Sequence, residues 1–246
     1  MTDVAPLSRV ARPVDAVVER LRSDVLAGVF PSGEHLPPER QLAAALGVSR
    51  LTLRAALARL EAEGLVRARQ GEGVRVLDVA QHGTLAVLAH MDLSARPEVV
   101  RSFLELRRAV AADAIALACE RATPKDLETL SLLAAEQALE QDVARYTARD
   151  VAFARAVLVA SQSFAALLVF NALAPVYEAH PQLARALVAD KERSLLGYAV
   201  TLELLRAKDG AAARTMVREA LELVDAAAMA ALAPPRKQKP RQKGRR

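Results

Sequence analysis

Residues 36–76 read LPPERQLAAALGVSRLTLRAALARLEAEGLVRARQGEGVRV. Two short helical patterns are broken by Gly47, a second break falls at Glu63-Gly64, and two alternating segments follow around a Gly-rich turn. That order predicts a helix-turn-helix followed by a wing. Pro37 and Pro38 bar a helix upstream and pre-set its first turn, so a helix starts at Pro38-Glu39-Arg40 and runs through Leu42 and Leu46 to Gly47. Ser49 is placed as the next N-cap, and Leu53, Ala56, Leu57 and Leu60 recur at i, i+3, i+4 and i+7 as an inward stripe. Arg50 and Arg54 lie on the opposite face, with Ser49, Leu51 and Thr52 near the helix start. The first residues of such a helix enter the DNA major groove, where Arg pairs with guanine and an apolar group touches a thymine methyl. Residues 65–69 and 74–77 alternate as strands about Gln70-Gly71-Glu72-Gly73, which puts Arg67, Arg69 and Arg75 on one side of the wing, near the phosphates. A plain helical subdomain with solvated arginines accounts for any one of these features. Their order within a single stretch favours a DNA reader.

The stretch resembles the winged-helix domain of GntR-type bacterial transcription regulators through Leu36-Pro37-Pro38-Glu39-Arg40, Leu46-Gly47-Val48-Ser49-Arg50, Thr52-Leu53-Arg54, Ala56-Leu57, Leu60, Gly64-Leu65, Gly71 and Gly73. Carried over by motif position, the resemblance implies DNA contacts at Arg40, Ser49, Arg50, Thr52, Arg54, Gln70 and Gly71. Leu51 stands where relatives often carry Thr, Ala or Pro.

A chain of 246 residues with 52% hydrophobic content is long enough for two domains with cores. It has no run of eighteen apolar residues and no signal-like N-terminal segment, so a cytoplasmic protein with no membrane span is expected. The single cysteine, Cys119, builds no disulfide framework and reads as a small buried residue. The net charge of +5 is unevenly spread. Residues 236–246 carry seven Lys/Arg and no acid, residues 1–77 carry 11 against 9, and residues 78–233 carry 16 against 20. Basic ends around an acidic middle fit DNA binding coupled to a second task.

In chain order, residues 1–12 are expected to be disordered and residues 13–77 to form the winged domain. Its first helix starts at Pro13, carries Val14, Val17, Val18, Leu21, Val25 and Leu26, and stops at Gly28. Residues 78–97 read as a linker, with one short helix at 84–89 and with His82 and His90 solvated. Residues 98–232 read as an all-α antiparallel bundle of about six helices, near 98–121, 124–142, 144–160, 164–177, 183–208 and 210–232. Thr123 and Asp209 are expected N-caps. Residues 233–246 read as a disordered basic tail that either adds phosphate contacts or serves solubility. The fold class is therefore mainly α: an N-terminal winged helix-turn-helix with a small β-hairpin, then an all-α effector-binding and dimerisation domain.

The bundle resembles the effector domain of the FadR branch of the same family, through Glu105-Leu106-Arg107-Arg108, residues 120–127, Asp150 with Phe153, and residues 208–214. Many members of that branch hold a divalent metal with one Asp and three His. Asp150 matches the Asp, but Ala154, Tyr198 and Ala220 stand at the His positions, so no metal is expected. Metal-free relatives include regulators that bind long-chain acyl-coenzyme A. Polar candidates for an effector pocket are Arg107, Asp150, Arg155, Tyr177, Arg193 and Tyr198, each of which also reads as a surface or structural group; Arg107 suits a carboxylate or phosphate best. No nucleophile motif, phosphate-cradling loop or metal-ligand spacing is present, and Ser161 and Ser163 have no assignable base, so no enzyme and no cofactor are expected. The reading is a homodimeric regulator, a repressor, on a near-palindromic double-stranded operator, controlled by a small-molecule effector such as an acyl-CoA or another organic acid. A constitutive or architectural DNA-binding dimer is the alternative.

Overall fold

A computed structural model describes residues 13–233, so the expectations for residues 1–12 and for the basic tail from 234 onward lie outside the described residues. The chain divides into two compact units, one ending at Met91 and one beginning at Asp92.

In the first unit, α1 (Pro13–Leu26), α2 (Glu39–Ala45) and α3 (Arg50–Ala62) precede a hairpin of β1 (Val66–Arg69) and β2 (Gly73–Val76). The Ser49 side chain caps α3 by accepting the Thr52 N–H at 3.0 Å. The stripe Leu53, Ala56, Leu57 and Leu60 is buried, as are Val17, Val18, Leu21 and Val25 of α1, which packs along α3. Val66, Val74 and Val76 are buried from the hairpin side. A bridge from His35 to Arg75 adds one residue to the hairpin edge.

The segment read as a linker is structured and built into this unit as far as Met91. Asp78 caps a short α4 (Val79–His82) by accepting the Ala80 N–H, and residues 85–90 and 93–95 form 3-10 turns. The Leu77 N–H donates to Leu65 and the Thr84 N–H to Glu63, at 2.9 and 3.1 Å. Beside them the buried Arg22 donates to both carboxylate oxygens of Glu63, at 2.7 and 2.6 Å, and to Glu19 at 2.6 Å. His90, expected in solvent, has its Nδ1 3.4 Å from Arg22 Nη1. Hydrophobic periodicity could not register this packing because polar and backbone contacts carry it.

The second unit contains, among the described residues, seven helices: α5 (Pro97–Arg121), α6 (Pro124–Leu139), α7 (Val143–Ala160), α8 (Phe164–Ala179), α9 (Pro181–Leu187), α10 (Lys191–Ala207) and α11 (Gly210–Leu232). Thr123 and Asp126 make a reciprocal capping box, at 3.2 and 2.8 Å. Helix α6 ends three residues short of the expected Asp142, because that side chain caps α7 by accepting the Arg145 N–H. The expected single helix over 183–208 is two. Pro181 opens α9, and Asp190 caps α10 by accepting the Arg193 N–H at 3.0 Å, a local signal that outweighs the continuous apolar pattern. The core joins Ile115, Leu130, Phe153, Val157, Leu205 and Val217, and the buried Cys119 thiol donates to the Leu204 carbonyl at 3.4 Å.

Gly64 shows how closely the segment after the wing packs. Its φ is +75°, and a Cβ there would stand 1.8 Å from the His82 carbonyl oxygen. Gly28 has a similar φ, +77°, and a Cβ there would meet nothing within 4 Å among the described residues. Gly64→Ala is therefore expected to destabilise the first unit by at least ~2 kcal/mol, strain and overpacking combined. Gly28→Ala carries strain alone, about 1 kcal/mol. Urea unfolding of the two variants should separate them in that order; equal losses would show that the approach to His82 is not tight.

Candidate functional site

On the first unit the outer face of α3 presents Arg50, Leu51 and Arg54, with Thr52 partly buried, Arg40 exposed on α2, and Gln70 and Gly71 exposed at the wing turn. The fold thus brings the sequence-derived candidates of α3 to its exposed side. Arg54 Nε donates to Glu39 at 2.8 Å, and Arg50 lies 3.8 Å from the same carboxylate oxygen. Glu39 therefore holds both recognition-helix guanidinia on one anchor. On the wing, Arg67 sits directly opposite Arg75 in register, a like-charge pair that repels unless an anion lies between or near them. With Arg69, His35 and His82 they line a hollow of ≈ 310 Å³, and Arg75 is steadied by donating to the Gly33 carbonyl at 2.9 Å. Glu72, 3.5 Å from Arg69, and Asp78 line the same hollow, so Arg67 and Arg75 are the guanidinia it offers most freely to phosphates.

In the second unit a cavity of ≈ 400 Å³ opens among α5, α7, α8, α9, α10 and α11. Most of its wall is apolar, from residues such as Ile115, Val157, Phe170 and Leu173. Arg107, Asp150, Tyr177, Arg193 and Tyr198, expected from sequence as pocket candidates, all line it. Arg155 does not: it is exposed, donates to Asn171 at 2.6 Å and lies 4.9 Å over the Phe170 ring. Asp150 lies inside α7 and caps nothing. Its Oδ1 accepts the Tyr198 hydroxyl, and the Tyr198 ring lies 4.4 Å from Phe153, centroid to centroid. Gln137 stands behind, donating to Tyr198 at 3.4 Å and to the Tyr146 carbonyl at 2.9 Å.

Arg107 reaches the cavity from α5 and donates to Asp225 of α11 at 2.8 Å; Arg108 donates to the other oxygen of Asp225 at 3.3 Å. Burial pushes the Asp225 carboxyl up while Arg107 and Arg108 draw it down, and the upward push prevails. Burial likewise holds the Asp150 carboxyl above the ordinary carboxylate range, against the Tyr198 hydrogen bond and the charge of Arg107. Desolvation opposes the charge on Arg107, but Tyr177, Asp225 and Asp150 outweigh it and raise its affinity for the proton. Asp225 escaped sequence reading. An acid on the inward stripe of Ala213, Val217 and Ala228 is the signal that could have found it.

The four positions that the resemblance implies for a metal do converge, since Asp150, Ala154, Tyr198 and Ala220 all line the cavity. Their chemistry does not fit a divalent ion. Two are methyl groups, Tyr198 is a phenol whose proton burial and Asp150 hold in place, and one Asp150 oxygen is already engaged. Among the described residues no three His, Cys, Asp or Glu cluster as ligands. Nor, among them, is any helix long and apolar enough to cross a membrane.

A capped, arginine-bearing recognition helix beside a basic wing, joined in one chain to a helical domain with its own cavity, defines a winged-helix DNA-binding regulator. Residues 13–76 match the family described as "Bacterial regulatory proteins, gntR family", and residues 102–223 match the FCD domain. The regulator Mce2R of Mycobacterium tuberculosis is 32% identical over 234 residues, 92% of this chain and 95% of its own. A "Fatty acid metabolism regulator protein" of Haemophilus influenzae is 30% identical over 169 residues, 68% of this chain and 69% of its own. In fold, the solved structure described as "Lar controls the expression of the Listeria monocytogenes agr system and mediates virulence" covers 90% of this chain and 98% of its own, with a TM-score of 0.61 at 19% identity. The chain belongs to the GntR family of bacterial transcription regulators, with an FCD domain as its second part.

Removing Asp225 would leave two poorly exposed guanidinia without their carboxylate, because its side chain is 7% exposed and those of Arg107 and Arg108 are 18% and 20%. Asp225→Ala is expected to lower the stability of the helical domain by ~3 kcal/mol. The readout is the helical-domain transition in urea followed by circular dichroism; an unshifted midpoint would mean that solvent already screens the pair.

Proposed function

We propose that this chain is a repressor that binds a near-palindromic operator as a homodimer and releases it when a small organic acid, without a metal, occupies the cavity of the FCD domain. The observation that carries the reading is the cavity itself: an apolar chamber with the Arg107 guanidinium at a polar end and the more exposed Arg193, paired with Asp190, elsewhere in its wall, inside a regulator whose DNA face is a separate unit. Its ≈ 400 Å³ lies toward the lower end of the range for small-molecule pockets, roughly 300–1,000 Å³. That size suits a free acid, or the acyl part of a larger thioester, better than a whole coenzyme A conjugate. Burial drives the acid's apolar body inward, and Arg107 selects its charge. On the DNA side, Arg40, Ser49, Arg50, Thr52, Arg54, Gln70 and Gly71 make the contacts, with Arg50 and Arg54 moving from Glu39 to base edges. Two half-sites must match the groove spacing, so a small rearrangement driven from the bundle is enough to spoil binding.

The test starts from an operator selected from random DNA by the purified protein. Arg50→Ala and Arg54→Ala are each expected to lose ~1–3 kcal/mol of specific binding by fluorescence anisotropy, with the fold intact. Equal loss on random DNA would reduce both to phosphate contacts. Native mass spectrometry with and without chelator tests the second half: a dimer with a metal-free organic adduct is expected, and a chelator-sensitive metal adduct would overturn the metal-free reading.

A further inference from the structure

The polar groups of the cavity are not equally free to meet a ligand. The Ser194 and Thr201 hydroxyls donate to the carbonyls of Asp190 and Gly197, at 3.0 and 2.8 Å, and Arg193 leans on Asp190 at 3.4 Å. Arg107 is different. Its five N–H donors serve Asp225, which is shared with Arg108, and the neighbouring Tyr177 hydroxyl, so donors remain for a ligand at the polar end. Asp150 also has capacity left, since one oxygen accepts from Tyr198 and the other has no hydrogen bond among the described residues. That free oxygen is an acceptor open to a ligand hydroxyl. The third observation is Gly197, a glycine inside α10 and on the cavity wall. A Cβ there would meet nothing within 4 Å among the described residues, so no packing among them calls for Gly. Glycine in a helix interior nonetheless costs about 1 kcal/mol relative to alanine.

We propose that the cavity seats, without a metal, a hydroxy-substituted carboxylic acid on an apolar chain: the carboxylate on Arg107, the neighbouring hydroxyl donating to the free oxygen of Asp150, and the chain lying against the bare backbone at Gly197. Ala154 and Ala220 leave the seat open where larger side chains would crowd it, and Tyr198 is the positioning residue that holds Asp150 toward the ligand. This inference rests on the effector reading above.

The experiment is calorimetric titration of the full chain, pre-treated with EDTA, with three probes: 3-hydroxydecanoate, decanoate and decan-1-ol. The hydroxy acid is expected to bind about tenfold more tightly than decanoate, the worth of one added hydrogen bond, and the alcohol more weakly than both. Added zinc should change nothing. Asp150→Ala should erase the preference for the hydroxyl group while decanoate still binds. Gly197→Ala should keep or raise the melting temperature of the free protein yet weaken the hydroxy acid severalfold, a combination that a structural role alone does not produce. Equal affinities for the two acids, a requirement for zinc, or no binding of any probe would each overturn the seat. If another class of compound, an amine for example, releases the selected operator, the seat fails while effector control stands. If nothing that binds the cavity alters operator affinity, effector control fails as well.

A second inference rests on α3 alone. Leu51 is 80% exposed in the first turn of the recognition helix, between Arg50 and Thr52 and three residues before Arg54. The inward stripe of that helix is complete without it. We infer that Leu51 reads the 5-methyl group of a thymine in each half-site. Replacing the thymines of the selected operator one at a time by deoxyuridine removes only that methyl. One position per half-site is expected to lose about fourfold in affinity, the worth of one buried methyl-sized group, in the wild type but not in Leu51→Ala. No sensitive position, or the same loss in both proteins, would overturn it.

Discussion

Asp225 holds two guanidinia at once, and the chemistry of the helical domain depends on that arrangement. Arg107 and Arg108 leave α5 one residue apart, and a single carboxylate on α11 accepts from both. The charge-assisted bonds tie the two helices that run longest against each other and orient Arg107 toward the cavity. Asp225 is thus one acid between two bases, with Asp150 a second carboxyl whose charge reaches Arg107. The unused donors of Arg107 suit an anion, and the apolar wall sets a large desolvation penalty against a cation.

The polar end is completed by a chain of neutral donors. Gln137 supports Tyr198, Tyr198 supports Asp150, and burial keeps both the phenol and the carboxyl from ionising at their usual pH. Such a chain orients one acceptor oxygen beside Arg107. Where the branch resemblance implies imidazoles and a cation, this chain has two methyl groups and a hydroxyl at positions that still face one another. The geometry of a ligand-binding chamber is retained with different chemistry.

The DNA-facing unit follows a similar economy of charge. Glu39 anchors Arg54 closely and Arg50 more loosely, so both side chains are partly ordered while remaining well exposed. A loose surface pair of this kind adds little stability and is readily exchanged for a stronger bidentate partner. Behind that face, Arg22 is bound by Glu63 and Glu19 and is almost wholly buried, which ties the end of α3 to α1. The segment after the wing then closes over Gly64, where only a hydrogen fits.

Local signals were enough for the winged domain. The Ser49 cap, the Leu53 to Leu60 stripe and the glycine-bounded hairpin each act over a few residues, so their periodicity and turn chemistry carry the fold without reference to distant partners. The same holds for Thr123 with Asp126 and for the exposure of Arg50 and Arg54. In the bundle, sequence determined that helices form but not where all of them break, because the Asp190 cap and Pro181 compete with an unbroken apolar pattern. It could nominate Arg107, Asp150 and Tyr198, yet not that they share one chamber, that Arg155 faces elsewhere, or that Asp225 divides its charge between neighbouring arginines. Those relations join residues 48 to 118 positions apart. Only packing of the helices brings them within hydrogen-bond range, and the burial that follows gives the cavity its electrostatics.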